Sequence, residues 1–509
     1  MKSIGYIKKN TYFDSVTLMG ISKGLLELPG VLRVSVSMGT EMNKQLLADG
    51  GFDTTEAAGA EPNDVMIVCQ LDDAQDESAT LQGIEAAMSR RAEADDSKQA
   101  NPRTLQAAVR QLDPNVAVIS LPGLYAAAEA RKALLAGLHV MLFSDNVSLE
   151  DERSLKELAR DKGLLMMGPD CGTSIIGGTA LCFANQVERG SVGIVSASGT
   201  GAQEISVLLS RAGAGVSQLI GVGGRDLSAQ IGGLMMFEAL DALANDPATE
   251  VVVLISKPPH PSIAEEIRRR ARACGKPVVL CFLGAAGSGE PDGNVLGAST
   301  LEAGAAQTLR ALSRPVPDWI GQEGRLPADC TPSRNGYVRA LFCGGTLTEE
   351  SRLIFRQERP NAPCFGNTAK KAEEQLADPL RSQAHTFLDM GDDVFTRGKP
   401  HPMIDPEVRN ARIVAEGSDP ETAVLLLDFV LGYGGHPDPV GSALPAIEKA
   451  LAEARRQGRR LTVVAYVLGT PKDPQNFADQ CARLRDLGVL LGETNAHAAR
   501  LAARLVQEN

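Results

Sequence analysis

No apolar stretch in this 509-residue chain reaches the ~18 residues that a bilayer-crossing helix needs, and the opening MKSIGYIKKN lacks the apolar core of a secretory leader. Both absences exclude a membrane role and lead to the expectation of a cytoplasmic protein. Basic runs interleaved with aromatics are missing too. Aromatics make up 4% of the chain, and 51 Lys and Arg stand against 63 Asp and Glu, so nucleic acid is excluded as a partner. The nine cysteines form no C-x-x-C pair and no zinc-type Cys/His spacing, which excludes a disulfide framework and a structural zinc. Cys69, Cys281 and Cys343 lie in apolar strand patterns and read as small buried hydrophobes. Cys171, in the glycine-rich MGPDCGTS, is the one candidate for a reactive thiol.

What is present is a long α/β grammar. The chain exceeds one hydrophobic core, so several domains are expected. Residues 1–100 read as a small α/β domain (IGYIKK, VLRVSVS and DVMIVCQ as strands) followed by a charged, alanine-rich connector ending at AEADDSKQAN. Residues 101–189 alternate apolar strands and helices (VAVISLPG, HVMLFSD, LLMMGPDCG), with a helix over 149–162 capped by Ser148. Residues 190–314 repeat that grammar (VGIVSA, VSQLIGVGG, VVVLIS, PVVLCFLG). Residues 315–335 carry four prolines and read as a linker, with the single tryptophan, Trp319, anchoring it. Residues 336–509 form a further α/β domain. Continuous apolar strands alternating with helices predict parallel sheets covered on both faces.

Three strings place glycine where a buried strand gives way to a helix: VGIVSASGTGAQE (192–204), YVRALFCGGTLTEES (337–351) and VLLLDFVLGYGGHPDP (424–439). Free N–H groups at a helix start, together with the helix dipole, suit an oxyanion, most often a phosphate.

In their order these strings resemble the NDP-forming acyl-CoA synthetase superfamily typified by succinyl-CoA synthetase. MGPDCGTSIIGG is similar to the turn closing its CoA-binding domain, SVGIVSASGTGAQE to the start of the α-subunit ligase domain, and GVGGRDLS to the glycine turn after it. FLDMGDD and LLLDFVLGYGGHPDP resemble the C-terminal ligase domain of the β subunit. The resemblance therefore implies a CoA-binding-like Rossmann domain over 101–189 and two flavodoxin-like ligase domains, over 190–314 and 336–509, behind a small N-terminal α/β domain. Fusion of these parts without a nucleotide-grasping module resembles the FdrA family in particular. By resemblance, two helices aim their N-termini at one phosphoryl group, which assigns phosphate binding to Ser198, Gly199, Thr200 and Gly201 on one side and to Gly432, Gly434 and Gly435 on the other.

Three features depart from that pattern. No histidine stands between His260 and His385, where a phosphohistidine should follow KPVVLCFLGAAG. The segment QANPRTLQAAVRQLDPN lacks the glycine loop that would hold the CoA diphosphate, which argues against tight CoA binding. No length remains for a nucleotide module. What is left is a site for phosphate or an acyl phosphate, with no certain cofactor. The FdrA resemblance implies a subunit of an oxamate carbamoyltransferase, which uses phosphate to split oxalurate into oxamate and carbamoyl phosphate in allantoin and purine breakdown. Separately encoded partner subunits and an oligomer are then expected. The rival readings are an ADP-forming acyl-CoA synthetase and a non-catalytic metabolite-binding protein.

Further candidates are His436 as a general acid or phosphate ligand, and Arg225 as a fork for an anion or, equally, a structural ion pair. Asp170, Cys171, Gly223 and Gly224 are expected to line the crevice at the sheet's carboxyl edge. Lys257 and Asn367 also follow strands and receive no role. Asp389, Asp392 and Asp393 could hold Mg²⁺, although a solvated acidic turn is the preferred reading.

Overall fold

The computed structural model describes residues 2–507 apart from 12, 14, 27, 50, 53–54, 73–76, 97–101, 103, 286–291, 329, 334–335 and 398. They fall into two units, 1–111 and 112–509.

In the first unit, strands β1 (Lys2–Lys8), β2 (Val31–Met38) and β3 (Val65–Leu71) form an antiparallel sheet in the order β1-β3-β2. The central strand VMIVCQL is buried throughout because both of its faces are covered. Val65, Ile67, Cys69 and Leu71 pack with Ile4, Leu18, Ile21 and Leu25, while Met66 and Val68 pack with Leu47, Ala57 and Ala60. The period of two along one strand thus serves two separate cores. Of AEADDSKQAN, residues 92–96 end the helix Glu77–Asp96, and 97–101 lie outside the described residues.

The second unit opens with a three-stranded parallel sheet, β4 (Val116–Ile119), β5 (His139–Leu142) and β6 (Met166–Met167). Its helix Leu149–Asp161 starts at Ser148, whose side chain accepts from Asp151 N–H at 3.0 Å as the sequence predicts.

A seven-stranded sheet follows: β7 (Thr173–Ile176), β8 (Thr179–Cys182), β9 (Arg189–Ser196), β10 (Val216–Gly221), β11 (Val251–Ser256), β12 (Val278–Phe282) and β13 (Val295–Ala298). Its order is β13-β12-β11-β9-β10-β7-β8, parallel except for the β7–β8 hairpin, which pairs antiparallel with β10. The TSIIGGTALC segment, expected to close the preceding domain, therefore belongs to this sheet.

The last sheet is wholly parallel, in the order β15-β16-β14-β17-β18-β19. Its strands are β14 (Tyr337–Phe342), β15 (Cys364–Gly366), β16 (His385–Asp389), β17 (Thr422–Val430), β18 (Thr462–Leu468) and β19 (Leu490–Gly492). All nine residues of β17 are buried, as expected for a strand with helices on both faces.

The two large sheets share one core. Ile205, Leu208 and Leu209 of the helix Gly199–Arg211 join Leu347 and Phe355 of the helix Gly345–Glu358 and Leu501 of the helix Asn495–Arg504. Acidic side chains run through this interface. Glu204 accepts from Tyr466 OH at 2.7 Å, and Glu350 accepts from Leu301 N–H at 2.6 Å and from Asn495 Nδ2 at 2.8 Å. Glu302 accepts from Thr494 Oγ1 and Arg500, each at 2.7 Å. Trp319 anchors the linker as expected, lying beneath the Arg211 guanidinium at 4.5 Å.

Candidate functional site

The helix Gly199–Arg211 begins where β9 ends, and Ser198 caps it by accepting from Gly201 N–H at 3.0 Å. Across from it, the helix Gly345–Glu358 begins where β14 ends. The two starts meet: Ser198 Oγ lies 2.5 Å from Thr346 Oγ1. A methyl group on Gly344 would lie 2.7 Å from Thr200 Cγ2 and 3.0 Å from Thr200 Oγ1, so this approach of backbone to side chain requires glycine. Among the described residues, the N–H groups of Gly199, Thr200, Gly345 and Thr346 have no hydrogen-bond partner. Cys343 and Gly344 N–H are already taken by the buried Asp428 carboxylate, at 2.8 and 3.1 Å.

The expected second cradle makes no hydrogen bond to SGTG and is filled only in part, since the N–H groups of Gly434 and Gly435 have no hydrogen-bond partner among the described residues. Gly432 N–H donates to Gln475 Oε1 at 3.0 Å, Tyr433 N–H to Ala184 O at 2.8 Å, and His436 N–H to Met403 O at 2.7 Å. The helix after this loop begins with Pro439, which has no N–H to offer. Its next donors are used as well: Val440 N–H meets Gln480 Oε1 and Gly441 N–H meets Asp438 Oδ1, both at 3.0 Å. Arg483 braces Asp438 and holds its carboxyl well below the usual carboxylate range, so Asp438 stays ionised throughout the neutral range. Gly434 packs against Phe183. His436 Nδ1 accepts from Asp438 N–H at 3.0 Å and so serves its own loop. Both glycine loops touch the segment Thr173–Ala184, but at different residues: Gly199 faces Thr173, and Tyr433 bonds Ala184. No hydrogen bond joins 198–201 to 432–436 among the described residues. The structure therefore pairs SGTG with CGGT, not with GYGG.

Asp170 comes close to Gly224, and Gly223 adopts φ +84° against the Pro169 carbonyl, so this part of the expected crevice is assembled. Burial in the depression and the like charge of Asp145 push Asp170 up to about 6 against the pull of Arg225, although its rim is exposed. Cys171 is a correction. It is buried, its thiol lies 3.7 Å from Thr173 O and Ser174 Oγ, and burial pushes it up to about 12, so it is neither a lining residue nor a reactive thiolate. Arg225 serves the structure, donating to Val147 O at 2.8 Å and pairing with Glu152 at 2.7 Å. Glu152, Lys156 and Asp226 form a fully buried cluster, with Lys156 Nζ 2.8 Å from both carboxylates.

Sequence reasoning read Asp389 as part of an acidic turn and gave Lys257 and Asn367 no role. Asp389 ends β16, and its main chain is clamped by Asn367, whose Nδ2 donates to Asp389 O at 3.0 Å and whose Oδ1 accepts from Asp389 N–H at 2.9 Å. Asp389 Oδ1 accepts from Gly391 N–H at 3.0 Å, while Oδ2 faces Gly345. Burial raises the Asp389 carboxyl to about 7, with Lys257 opposing and Asp392 and Asp428 adding to the rise. Lys257 follows β11, level with Ser198 across the β9–β11 ladder, and makes no ion pair among the described residues. His401 directs Nε2 at Gly391, and its Nδ1 accepts from Met403 N–H at 3.2 Å. Asp392 caps the turn Asp393–Thr396, and no group of three or more metal-ligating side chains occurs among the described residues. The signals that could have found this site were the third glycine string and the burial implied by FLDM before GDD. A hollow of about 370 Å³ is lined by Thr179, Glu188 and Tyr433 among others, and by none of the residues at these helix starts.

Two largely parallel sheets facing each other through strand–glycine–helix turns belong to a protein of the succinyl-CoA synthetase-like, CoA-ligase class. Residues 341–505 match the CoA-ligase family, 187–284 the CoA binding domain, and 1–104 the AllF, heavy metal-associated domain. The chain is 48% identical over 506 residues to the uncharacterized protein YahF of Escherichia coli (strain K12), covering 98% of each, and it belongs to that family. It is 29% identical over 191 residues to the mitochondrial succinate–CoA ligase [ADP-forming] subunit alpha-2 of Trichomonas vaginalis, spanning 36% of this chain and 60% of that subunit. The solved dinucleotide forming acetyl-coenzyme A synthetase 1 of Ca. Korarchaeum cryptofilum aligns over 78% of this chain and 84% of its own, at 18% identity and TM-score 0.33. No helix among the described residues is long and apolar enough to cross a membrane.

These descriptions imply a heavy metal and CoA. The first 104 residues hold one cysteine and no histidine, and Cys69 is buried in β3 with its thiol pushed up to about 11, so they lack the cysteine pair or histidine that would hold a metal through thiolate or imidazole. At the turn matched to the CoA binding domain, Thr200 is buried and packed by Gly344, so the free N–H groups fit a small anion and not an extended diphosphate.

Proposed function

We propose that the chain is an FdrA-type subunit that transfers a carbamoyl or related acyl group to or from phosphate, and that the anion sits where the helices Gly199–Arg211 and Gly345–Glu358 converge. One observation carries this reading: the Ser198–Thr346 contact brings unpaired N–H groups from two domains to one place, beside the uncompensated charge of Lys257. Fixed donors aimed at developing negative charge stabilise it by about 3 kcal/mol each in a dry site. On this reading Ser198, Gly199 and Thr200 keep the role first assigned to them, Gly201 N–H is spent on the Ser198 cap, and Gly345 and Thr346 take the place of Gly432, Gly434 and Gly435. Asp170, Gly223 and Gly224 line the acyl side, His436 holds its loop, and CoA has no part. Partner subunits complete the enzyme, as the subunit name of the Trichomonas relative suggests.

The test is to purify the chain with its co-purifying partners, supply oxalurate and phosphate, and assay carbamoyl phosphate and oxamate. Formation of both is expected. Acyl-CoA formed from ATP and CoA, with an acid-labile phosphoprotein, would establish the ligase reading in its place.

A further inference from the structure

We propose that the carboxyl of Asp389 is the proton-transfer group of this site, that Lys257 is the counter-charge of the bound anion, and that the pair selects acyl groups carried on nitrogen. The inference rests on the phosphate-transfer reading and adds to it two residues and their roles.

The geometry is over-determined. Asn367 fixes the Asp389 backbone from both sides, Gly391 N–H occupies Oδ1, and Oδ2 is left facing Gly345, the first residue of one converging helix. That oxygen accepts no hydrogen bond among the described residues. A methyl group on Gly391 would collide with His401 Nε2 and lie 3.2 Å from Asp389 Oδ1, so these two groups flank one small space. His401 is held neutral by burial, down to about 4, and its Nδ1 already accepts from Met403 N–H, which leaves Nε2–H as a fixed donor. Lys257 reaches the same place from the other sheet.

The chemistry follows from what each group can carry. A phosphate oxygen attacks the carbonyl carbon, the new O–C bond forms, the C–N bond breaks, and its electron pair goes to the departing nitrogen. An amide or ureide nitrogen leaves poorly without a proton, whereas a thiolate needs none. The Asp389 carboxyl gives its proton to that nitrogen and regains the one lost by the phosphate hydroxyl, so charge and atoms balance without an oxidant. A carboxyl raised to about 7 holds and releases that proton near neutrality.

Sulfate, a tetrahedral dianion that does not titrate between pH 5.5 and 9, is the probe. The groups facing Asp389 are Lys257, Asp392, His401 and Asp428 with its partner Arg409. Calorimetry on the full chain should show sulfate affinity falling about tenfold as pH rises through 7, because Asp389 ionises beside the anion. Asp389→Asn should bind sulfate with no such slope, and Lys257→Ala should lose about tenfold at every pH. Carbon-13 NMR of labelled aspartate in the wild-type chain should show one carboxyl titrating near 7 that moves upward with sulfate, a readout independent of how the variants fold. A wild-type slope retained in Asp389→Asn, or the absence of any aspartate carboxyl that titrates near 7 and moves upward with sulfate, overturns the proposal. Absence of sulfate binding in both wild type and Asp389→Asn overturns the anion site itself, which is a separate failure.

Discussion

Substituting Gly344 by alanine isolates the convergence on which the site depends. Gly344 has φ −113° and ψ 112°, a conformation any residue adopts, so alanine brings no backbone strain. Its cost is the new methyl group, set 2.7 Å from Thr200 Cγ2 and 3.0 Å from Thr200 Cβ and Oγ1, closer than carbon atoms approach. Overpacking of this kind costs about 2 kcal/mol. Because the clash spans two domains, it should loosen both helix starts together. Hydrogen exchange read by mass spectrometry should quicken roughly thirtyfold in peptides from 199–211 and 345–358, at 1.4 kcal/mol per tenfold. Thr200→Ala removes Cγ2 and Oγ1 but leaves Cβ, so the double variant should recover about half the loss, a coupling of about 1 kcal/mol. Strict additivity of the two substitutions, or loosening confined to 345–358, would refute the claim that these two helix starts press on each other.

Lys156→Met leaves Glu152 and Asp226 buried without their shared cation and should destabilise the second unit by about 3–5 kcal/mol in urea unfolding. Glu204 is raised to about 8 by burial and then by Glu350, itself raised to about 7. The native chain therefore holds protons that the unfolded chain has released, and stability should fall as pH rises from about 4.5 to about 8, by on the order of 3–4 kcal/mol for Glu204. Glu204→Gln should flatten that decline in thermal unfolding measured across this window. Cys171 should resist iodoacetamide in the native chain at pH 8 and react once urea exposes it; rapid native labelling would contradict its burial.

Much of the architecture was legible in local patterns. VMIVCQL reads as a strand buried on both faces, and Ser148 reads as a cap because a serine before an acidic first turn accepts an N–H wherever it occurs. The SGTG turn was equally readable, since a cap and small residues at a strand end act over a few bonds. GYGG looked the same and behaves differently. Gly432 N–H is taken by Gln475 and Val440 N–H by Gln480, side chains some 40 residues downstream, and nothing within the loop encodes that occupation. Asp389 was likewise visible only as one of three acids. Its burial and its neighbour Lys257 come from separate sheets, and long-range electrostatics leaves no periodic trace in the chain.

The amino-acid sequence by itself determined the alternation of strands and helices, the glycine turns and the capping residues, because propensity, period and hydrogen bonding to near neighbours are local. Which helix starts face each other, which N–H groups remain unpaired and which carboxyl keeps its proton were decided only by the packing of the two large sheets. Those properties depend on distances between residues as far apart as Ser198 and Thr346, and only the folded core sets such distances.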